Sequence, residues 1–321
     1  MQSLPDLAHQ LGAASLTIKR DDLNGTPFGG NKLRALEWLL PEAGRSVVSL
    51  GGYGSTWCAA LATVAKATGR EAHCALFPQP WSETVAGALG TTLANGQVYL
   101  ASTPHRLPYA LVRAWLTART CGHPTILAPG GAGPLGVLGS VNAALELAQQ
   151  IAADELPRPD AIVVPLGSGG TATGLLLGCQ IARLPTTICA VRVASPLIAS
   201  RRRIFRLIAR TRHLLQQRGL DLPDFDVPLV VITDQLGAGY GHPTSAASAV
   251  LTQLAQAGIT ADLTYSAKAA AALGPLAASF PHLCFWHTFD SRLALPSAIP
   301  HPLLHQARTY AESLWPLPKS T

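Results

Sequence analysis

Charge is scarce in this chain: 13% of its 321 residues are charged, whereas 48% are hydrophobic. Such a composition can bury a sizeable core, and the length suggests about two domains of a soluble globular protein. Paired cysteines are missing as well. Cys58, Cys74, Cys121, Cys179, Cys189 and Cys284 form no CxxC pair, and their spacing matches neither a zinc site nor the framework of a small secreted domain. They are expected to be reduced and mostly buried. The ten histidines show no HExxH or comparable spacing, so a metal hydrolase is disfavoured and no metal site is assigned. Met1 to Asp6 lacks the basic and apolar regions of a signal peptide, and no uninterrupted apolar run is long enough to span a bilayer. The expectation is a cytoplasmic protein with no membrane partner. The formal charge is +6, but the basic residues are thinly spread. Their one cluster (Arg201, Arg202, Arg203, Arg206, Arg210, Arg212) falls on a helical pattern with only Phe205 among it. That favours a solvated helix face over a nucleic-acid surface.

What is present is alternation. Val47 to Leu50 precedes the helix-like Trp57 to Thr68, Ala72 to Phe77 precedes Glu83 to Leu93, and Ala161 to Pro165 precedes Thr171 to Ala182. Strand-like and helix-like segments in this order predict a parallel sheet covered by helices. Linker-like breaks fall near Pro41 to Arg45 and at Asp154 to Asp160, where Pro157 and Pro159 flank Arg158. The stretch Ala267 to Ala278 is alanine-rich in a way that suits a close-packed helix.

Lys32 follows Gly29, Gly30 and Asn31 and opens an amphipathic helical pattern. With so little bulk around it a flat ring can approach the backbone, and a partly desolvated amine loses proton affinity and becomes nucleophilic. A second glycine-rich turn, Gly167-Ser168-Gly169-Gly170-Thr171, follows the apolar run Ile162 to Leu166 and opens another helix. Its amides can converge on a phosphate. It lacks the GK[ST] ending of a nucleotide loop, and Ala172 stands where a dinucleotide fingerprint needs its third glycine. The next apolar run, Ile188 to Val193, ends in Ala194-Ser195 with no carboxylate for a ribose. A plain glycine-rich turn without a ligand remains the alternative.

Taken together these segments resemble one family. Lys19-Arg20-Asp21-Asp22, followed by Gly29-Gly30-Asn31-Lys32-Leu33-Arg34, is similar to the KRDD…GGNK(V/L)R signature of pyridoxal-phosphate enzymes of the tryptophan-synthase-β type, fold type II. Within that class the chain resembles the branch holding 1-aminocyclopropane-1-carboxylate (ACC) deaminase and D-cysteine desulfhydrase. Gly239-Tyr240-Gly241 and Tyr265-Ser266-Ala267-Lys268 resemble that branch's GYG and DPVY(T/E)GK motifs, and His287-Thr288 matches its desulfhydrase side. The resemblance runs from about Leu16 to Asp290 in the right order. It implies a two-domain α/β fold with parallel-rich twisted sheets flanked by helices: residues 1–45 plus 155–321 as a large cofactor-binding domain, and 46–154 as a small inserted α/β domain. It further implies pyridoxal 5′-phosphate held by Lys32, which later handles the α-proton, with the phosphate on Gly167, Ser168, Gly169, Gly170 and Thr171. Ser266 would face the ring nitrogen, and Ser55, Tyr240, Tyr265 and Thr288 would line the substrate side. His287 is expected to be structural, a histidine after the apolar run Leu283 to Trp286 being commonly a satisfied core residue.

A hydroxyl at Ser266 can hydrogen-bond the ring nitrogen without keeping it protonated. The carboxyl group that ACC deaminase carries there would favour a fuller electron sink and the opening of a cyclopropane. Ser266 therefore points to β-elimination, unless it is an ordinary helix cap in competition with Asp262 or Thr264. For Tyr240 and Tyr265 the alternative is core packing with satisfied hydroxyls.

Several positions depart from the family's pattern. Gly51-Gly52-Tyr53-Gly54-Ser55-Thr56-Trp57 stands where the family has GGxxSN(H/Q). Ser55 is retained; Thr56 replaces an asparagine that bonds the cofactor's phenolic oxygen, and Trp57 replaces a histidine or glutamine that helps hold the substrate carboxylate. Ala132 and Gly133 replace a serine and an asparagine, and Phe289-Asp290 replaces two glycines. These changes bear on substrate preference and on activity itself. The expected reaction is deamination of a small amino acid by β-elimination, giving pyruvate and ammonia, with hydrogen sulfide if the substrate is D-cysteine. ACC deaminase is one alternative, and a cofactor-binding protein with little or no turnover is another. The resemblance also implies a homodimer.

Overall fold

The computed structural model describes residues 1–25, 29–290 and 301–316. Thr26 to Phe28, inside the lysine motif, lie outside the described residues, as do 291–300 and 317–321 of the expected large domain. The chain divides into two compact units. The first comprises Met1–Gly25, Gly29–Trp38 and residues 132–290; the second comprises residues 39–131 and 301–316.

The first unit holds a sheet of six strands in the order Gln2–Ser3, Ser15–Arg20, His282–His287, Ala161–Leu166, Thr187–Arg192 and Leu229–Ile232. Every pairing is parallel except that of the first strand. Alternation along these strands feeds two cores. Ala161, Val163, Leu283 and Phe285 pack with Ala267, Ala269 and Leu273. Ile162, Val164, Cys284 and Trp286 pack with Leu175, Leu176 and Cys179. Successive side chains of a strand point to opposite faces, so a run buried throughout must be covered on both sides.

The second unit is built on a parallel four-stranded sheet in the order Gln97–Leu100, Glu71–Phe77, Ser46–Gly52 and Thr125–Ile126. Helices Thr56–Ala67, Glu83–Asn95 and Leu107–Ala118 connect and cover it. The parallel α/β architecture expected from the alternating segments is what the chain adopts.

The unit boundaries differ from the expected 46–154 insert. Helix Pro134–Ala152 belongs to the first unit because it packs directly on helix Gly170–Ile181. A Cβ on Gly174 would meet Val137 O at 2.8 Å, and one on Gly178 would meet Val141 O at 2.6 Å. At the other end, helix Pro302–Leu314 belongs to the second unit, against Glu83–Asn95. The alanine-rich stretch is also not one helix. It forms two short ones, Ser266–Ala270 and Leu273–Ala277, since Pro275 has no N–H to continue the first.

All six cysteines are free, and five are buried. Burial pushes the Cys179 and Cys189 thiols up to about 12, which makes them packing residues and not nucleophiles. No helix among the described residues is long and apolar enough to cross a membrane. In helix Arg201–Gln217 the basic side chains are exposed except Arg203, which is half-buried.

Candidate active site

Lys32 lies in the first turn of helix Gly30–Leu39. Desolvation by burial lowers its amine to about 8, with the Asp262 carboxylate pulling the other way. A lysine shifted this far carries a much larger neutral, nucleophilic fraction near neutral pH. The charged residues before and after it are spent on holding the helix. Arg34 donates to Asp21 at 2.8 and 2.9 Å and to Glu146 at 3.1 Å. Asp21 also accepts from Trp286 Nε1 at 2.8 Å and from Asn24 at 3.0 Å. Lys19 pairs with Glu146 and Gln150, and Arg20 with Asp22 and Gln2. The KRDD run is thus a brace between the Lys32 helix, the sheet and helix Pro134–Ala152. Gly139 in that last helix lies against the Arg34 carbonyl, where no Cβ would fit.

The turn Gly167 to Thr171 connects strand Ala161–Leu166 to helix Gly170–Ile181. Gly169 precedes the helix at φ +90°, and no side chain caps it. The opening amides of a helix have no intrahelical acceptor, so an anion here would find donors already aimed. Gly167 packs on the next part of the site, a Cβ there lying 3.1 Å from Tyr265 Cε1. Two contacts were not foreseen from sequence. Asn31 Nδ2 donates to Thr171 Oγ1 at 2.8 Å, tying the lysine turn to this loop, and Arg203 Nε donates to Ser168 O at 3.1 Å. The GGNK spacing carried a signal for Asn31; Arg203 was visible only as a member of a charged run.

The third element begins at Asp262. Its carboxylate accepts from the amides of Thr264, Tyr265 and Ser266 at 2.9, 2.7 and 3.0 Å. Asp262 is therefore the cap of helix Ser266–Ala270, and the Ser266 side chain is left over. Ser266 is fully buried, and its Oγ has no hydrogen-bond partner among the described residues. A buried hydroxyl without a partner is costly, by about 1–3 kcal/mol, so this is where an acceptor from a bound molecule fits. Tyr240 and Tyr265 meet edge to face, with hydroxyls 2.8 Å apart. The Tyr240 loop is pinned by buried Lys268, whose ammonium donates to Leu236 O at 2.7 Å and Gly239 O at 3.1 Å. His287 is held by Thr260 O at 3.1 Å, and burial lowers its proton affinity. It reads as structural, while the neighbouring Thr288 offers its carbonyl to the Asn31 amide at 3.4 Å.

Lys32, Gly167, Ser168, Gly169, Gly170, Thr171, Tyr240, Tyr265, Ser266 and Thr288 all belong to the first unit, linked by these contacts. Ser55, Thr56 and Trp57 belong to the second, at the start of helix Thr56–Ala67. There Ser55 Oγ accepts from the Cys58 amide at 3.2 Å. Trp57 is 3% exposed, and its indole N–H is held by Ser49 Oγ at 2.8 Å. The Trp57 ring is thus packed into its own unit's interior. Ala132, half of the altered PxGGSNxLG segment, lies 3.5 Å from where a Gly170 Cβ would be. No group of three or more metal-ligating side chains occurs among the described residues.

Comparison with known proteins gives a consistent picture. The family described as "Pyridoxal-phosphate dependent enzyme" matches residues 1–283. A putative 1-aminocyclopropane-1-carboxylate deaminase of Pyrococcus abyssi is 32% identical over 223 residues, covering 67% of this chain and 66% of that relative. The D-cysteine desulfhydrase of Salmonella choleraesuis is 31% identical over 297 residues, covering 85% of this chain and 84% of the relative. Among solved structures, that of an ACC deaminase homologue matches with a TM-score of 0.75 at 27% identity, covering 89% of this chain and 87% of that one. A threonine deaminase from Solanum lycopersicum shares the fold at a TM-score of 0.62 and 15% identity, over 98% of this chain and 83% of that one.

Proposed function

The chain belongs to the pyridoxal-phosphate dependent enzymes, and from that premise we propose that it deaminates a small amino acid by β-elimination, as a D-cysteine desulfhydrase does. With D-cysteine and water the products are pyruvate, ammonia and hydrogen sulfide. The observation that carries this reading is Ser266: a buried hydroxyl whose own helix is capped by Asp262, leaving it with no partner among the described residues. A neutral hydroxyl suits a ring nitrogen that need not stay protonated.

The residues present fit the cofactor. Lys32, with its amine near 8, would hold it covalently, and the uncapped amides after Gly169 would take its phosphate. Thr171 accepts from Asn31 Nδ2 at 2.8 Å, so the phosphate loop and the lysine turn are tied to each other. When bound, pyridoxal phosphate supplies an electron sink for the pair left at the substrate's α-carbon. Everything else falls to the chain. Freed when the substrate's own amine takes its place, Lys32 Nζ would remove the proton from the α-carbon and hold it, because an amine near 8 exchanges protons readily close to neutral pH. The Tyr240–Tyr265 pair, hydroxyls 2.8 Å apart, would orient the substrate or pass a proton to the departing sulfur. Ser55 and Thr288 are assigned to the substrate side and Thr56 to the cofactor side, with Trp57, its N–H held by Ser49, backing the substrate side from within its own unit. The same reading takes the protein to be a cytoplasmic homodimer.

A second reading, ACC deamination, is favoured by the Pyrococcus abyssi relative's name and opposed by the hydroxyl at Ser266, a weaker support for ring opening than a carboxyl group. Assay of the cofactor-loaded protein separates them. Pyruvate with hydrogen sulfide from D-cysteine is the expected result; 2-oxobutanoate from ACC would replace it with the second reading. Binding of the cofactor without either product would mean that Thr56, Trp57, Ala132 and Gly133 have cost the protein its turnover.

A further inference from the structure

The turn that delivers Lys32 is gripped from a segment some 260 residues away in sequence. Gly30 has φ +77°, and a Cβ added to it would lie 2.9 Å from Thr288 O and 3.6 Å from Asp290 Cβ. The Asn31 amide reaches Thr288 O at 3.4 Å, and the Gly29 amide donates to Asp290 Oδ2 at 2.5 Å. Three successive residues before Lys32 are therefore fixed by the chain just past strand His282–His287. Asp290 is 4% exposed, so its carboxylate is not a solvated surface charge that touches the turn in passing.

The physical need for such a group is plain. The first amides of helix Gly30–Leu39 need acceptors, and Gly29, directly before it, has no side chain to supply one. An anionic acceptor at a helix N-terminus is further favoured by the helix dipole. A glycine at position 290, as in the family pattern the sequence resembles, could offer no such group.

We propose that Asp290 is a positioning residue for Lys32: it serves as the remote cap of the lysine turn and fixes where the amine stands. Its consequence for the cofactor rests on the proposed function, but the clamp itself does not. The test compares the native protein with D290A and D290N by two readouts. In cofactor-free protein, the pH profile of Lys32 acylation is followed by peptide mass spectrometry, with exposed Lys66 as internal reference. In parallel, pyridoxal phosphate is titrated into each variant.

Without the clamp the lysine turn loosens, water reaches the amine, and the Lys32 labelling midpoint moves upward from that of the native protein. Cofactor affinity falls about tenfold in D290A, the worth of one charge-assisted bond, and by less in D290N, whose amide oxygen still accepts. An unchanged midpoint and affinity in D290A would overturn the proposal. Should D290A fail to fold, D290G, which restores the glycine of the family pattern and leaves no acceptor, decides: a midpoint displaced upward supports the clamp, and a native profile refutes it. If the native protein binds no pyridoxal phosphate while D290A still shifts the labelling, the positioning role stands and the proposed function falls. If the native protein binds it and both variants match, the reverse holds.

Discussion

Two glycine-rich strand-to-helix turns in this molecule begin their helices in opposite ways. After strand Ser46–Gly52, helix Thr56–Ala67 is closed by its own Ser55, which takes the Cys58 amide at 3.2 Å. After strand Ala161–Leu166, helix Gly170–Ile181 starts from Gly169 at φ +90° with no side-chain cap. The first turn uses a local residue to satisfy itself, and the second keeps its donors for something else. A glycine-rich turn is thus informative about ligands only once its caps are accounted for. The same accounting separates Asp262, which does the capping of helix Ser266–Ala270, from Ser266, which is left with an orphaned hydroxyl.

The comparison can be broken most severely at Lys32. K32A should lose covalent attachment of pyridoxal phosphate altogether, read by borohydride trapping and peptide mapping; attachment to another lysine would remove Lys32 from its role. Next in size is S266A, where the signs should oppose. Removing a buried hydroxyl without a partner should leave the cofactor-free protein as stable or stabilise it by about 1 kcal/mol, while cofactor affinity falls. A loss of stability in the free protein would mean that the hydroxyl is already satisfied. G169A places a Cβ at φ +90° and should cost about 1–2 kcal/mol of stability together with weakened phosphate binding. S55A, by contrast, should cost about 1 kcal/mol of stability as a lost cap and leave cofactor affinity nearly intact. Equal effects of the two on cofactor affinity would erase the distinction between the turns.

The buried lysine also gives the comparison a pH dependence. Lys32 is lowered in the folded protein from 10.5 to about 8, so between those values the unfolded chain binds more protons. Stability of the cofactor-free protein should therefore rise with pH across that window, the penalty of burying the ammonium being full below it and relieved above it. K32M should flatten that part of the curve in thermal melts taken from pH 7 to about 10.5.

Much of this was legible in the sequence because it is local. The alternating apolar runs mark the parallel strands, and the glycines before Lys32 and after Leu166 mark turns that need close approach or positive φ. The site's cross-links were not legible. Asn31 meets Thr171, and Gly29 meets Asp290, across 140 and 261 residues of chain; only the fold brings such pairs together. The choice among Asp262, Thr264 and Ser266 as helix cap was open in sequence because all three can cap, and three-dimensional geometry gives it to Asp262. Helix Pro134–Ala152 groups with the first compact unit through its glycine-mediated contact with Gly170–Ile181, a long-range contact that the proline-rich break following it does not signal.

The most direct test of the account is the visible absorption of the purified protein titrated with pyridoxal phosphate, native beside K32A, followed by addition of D-cysteine. The account predicts an absorbing, borohydride-trappable adduct in the native protein alone, which changes on adding D-cysteine as pyruvate and hydrogen sulfide appear. A colourless native protein at saturating cofactor, or an identical adduct in K32A, would contradict it.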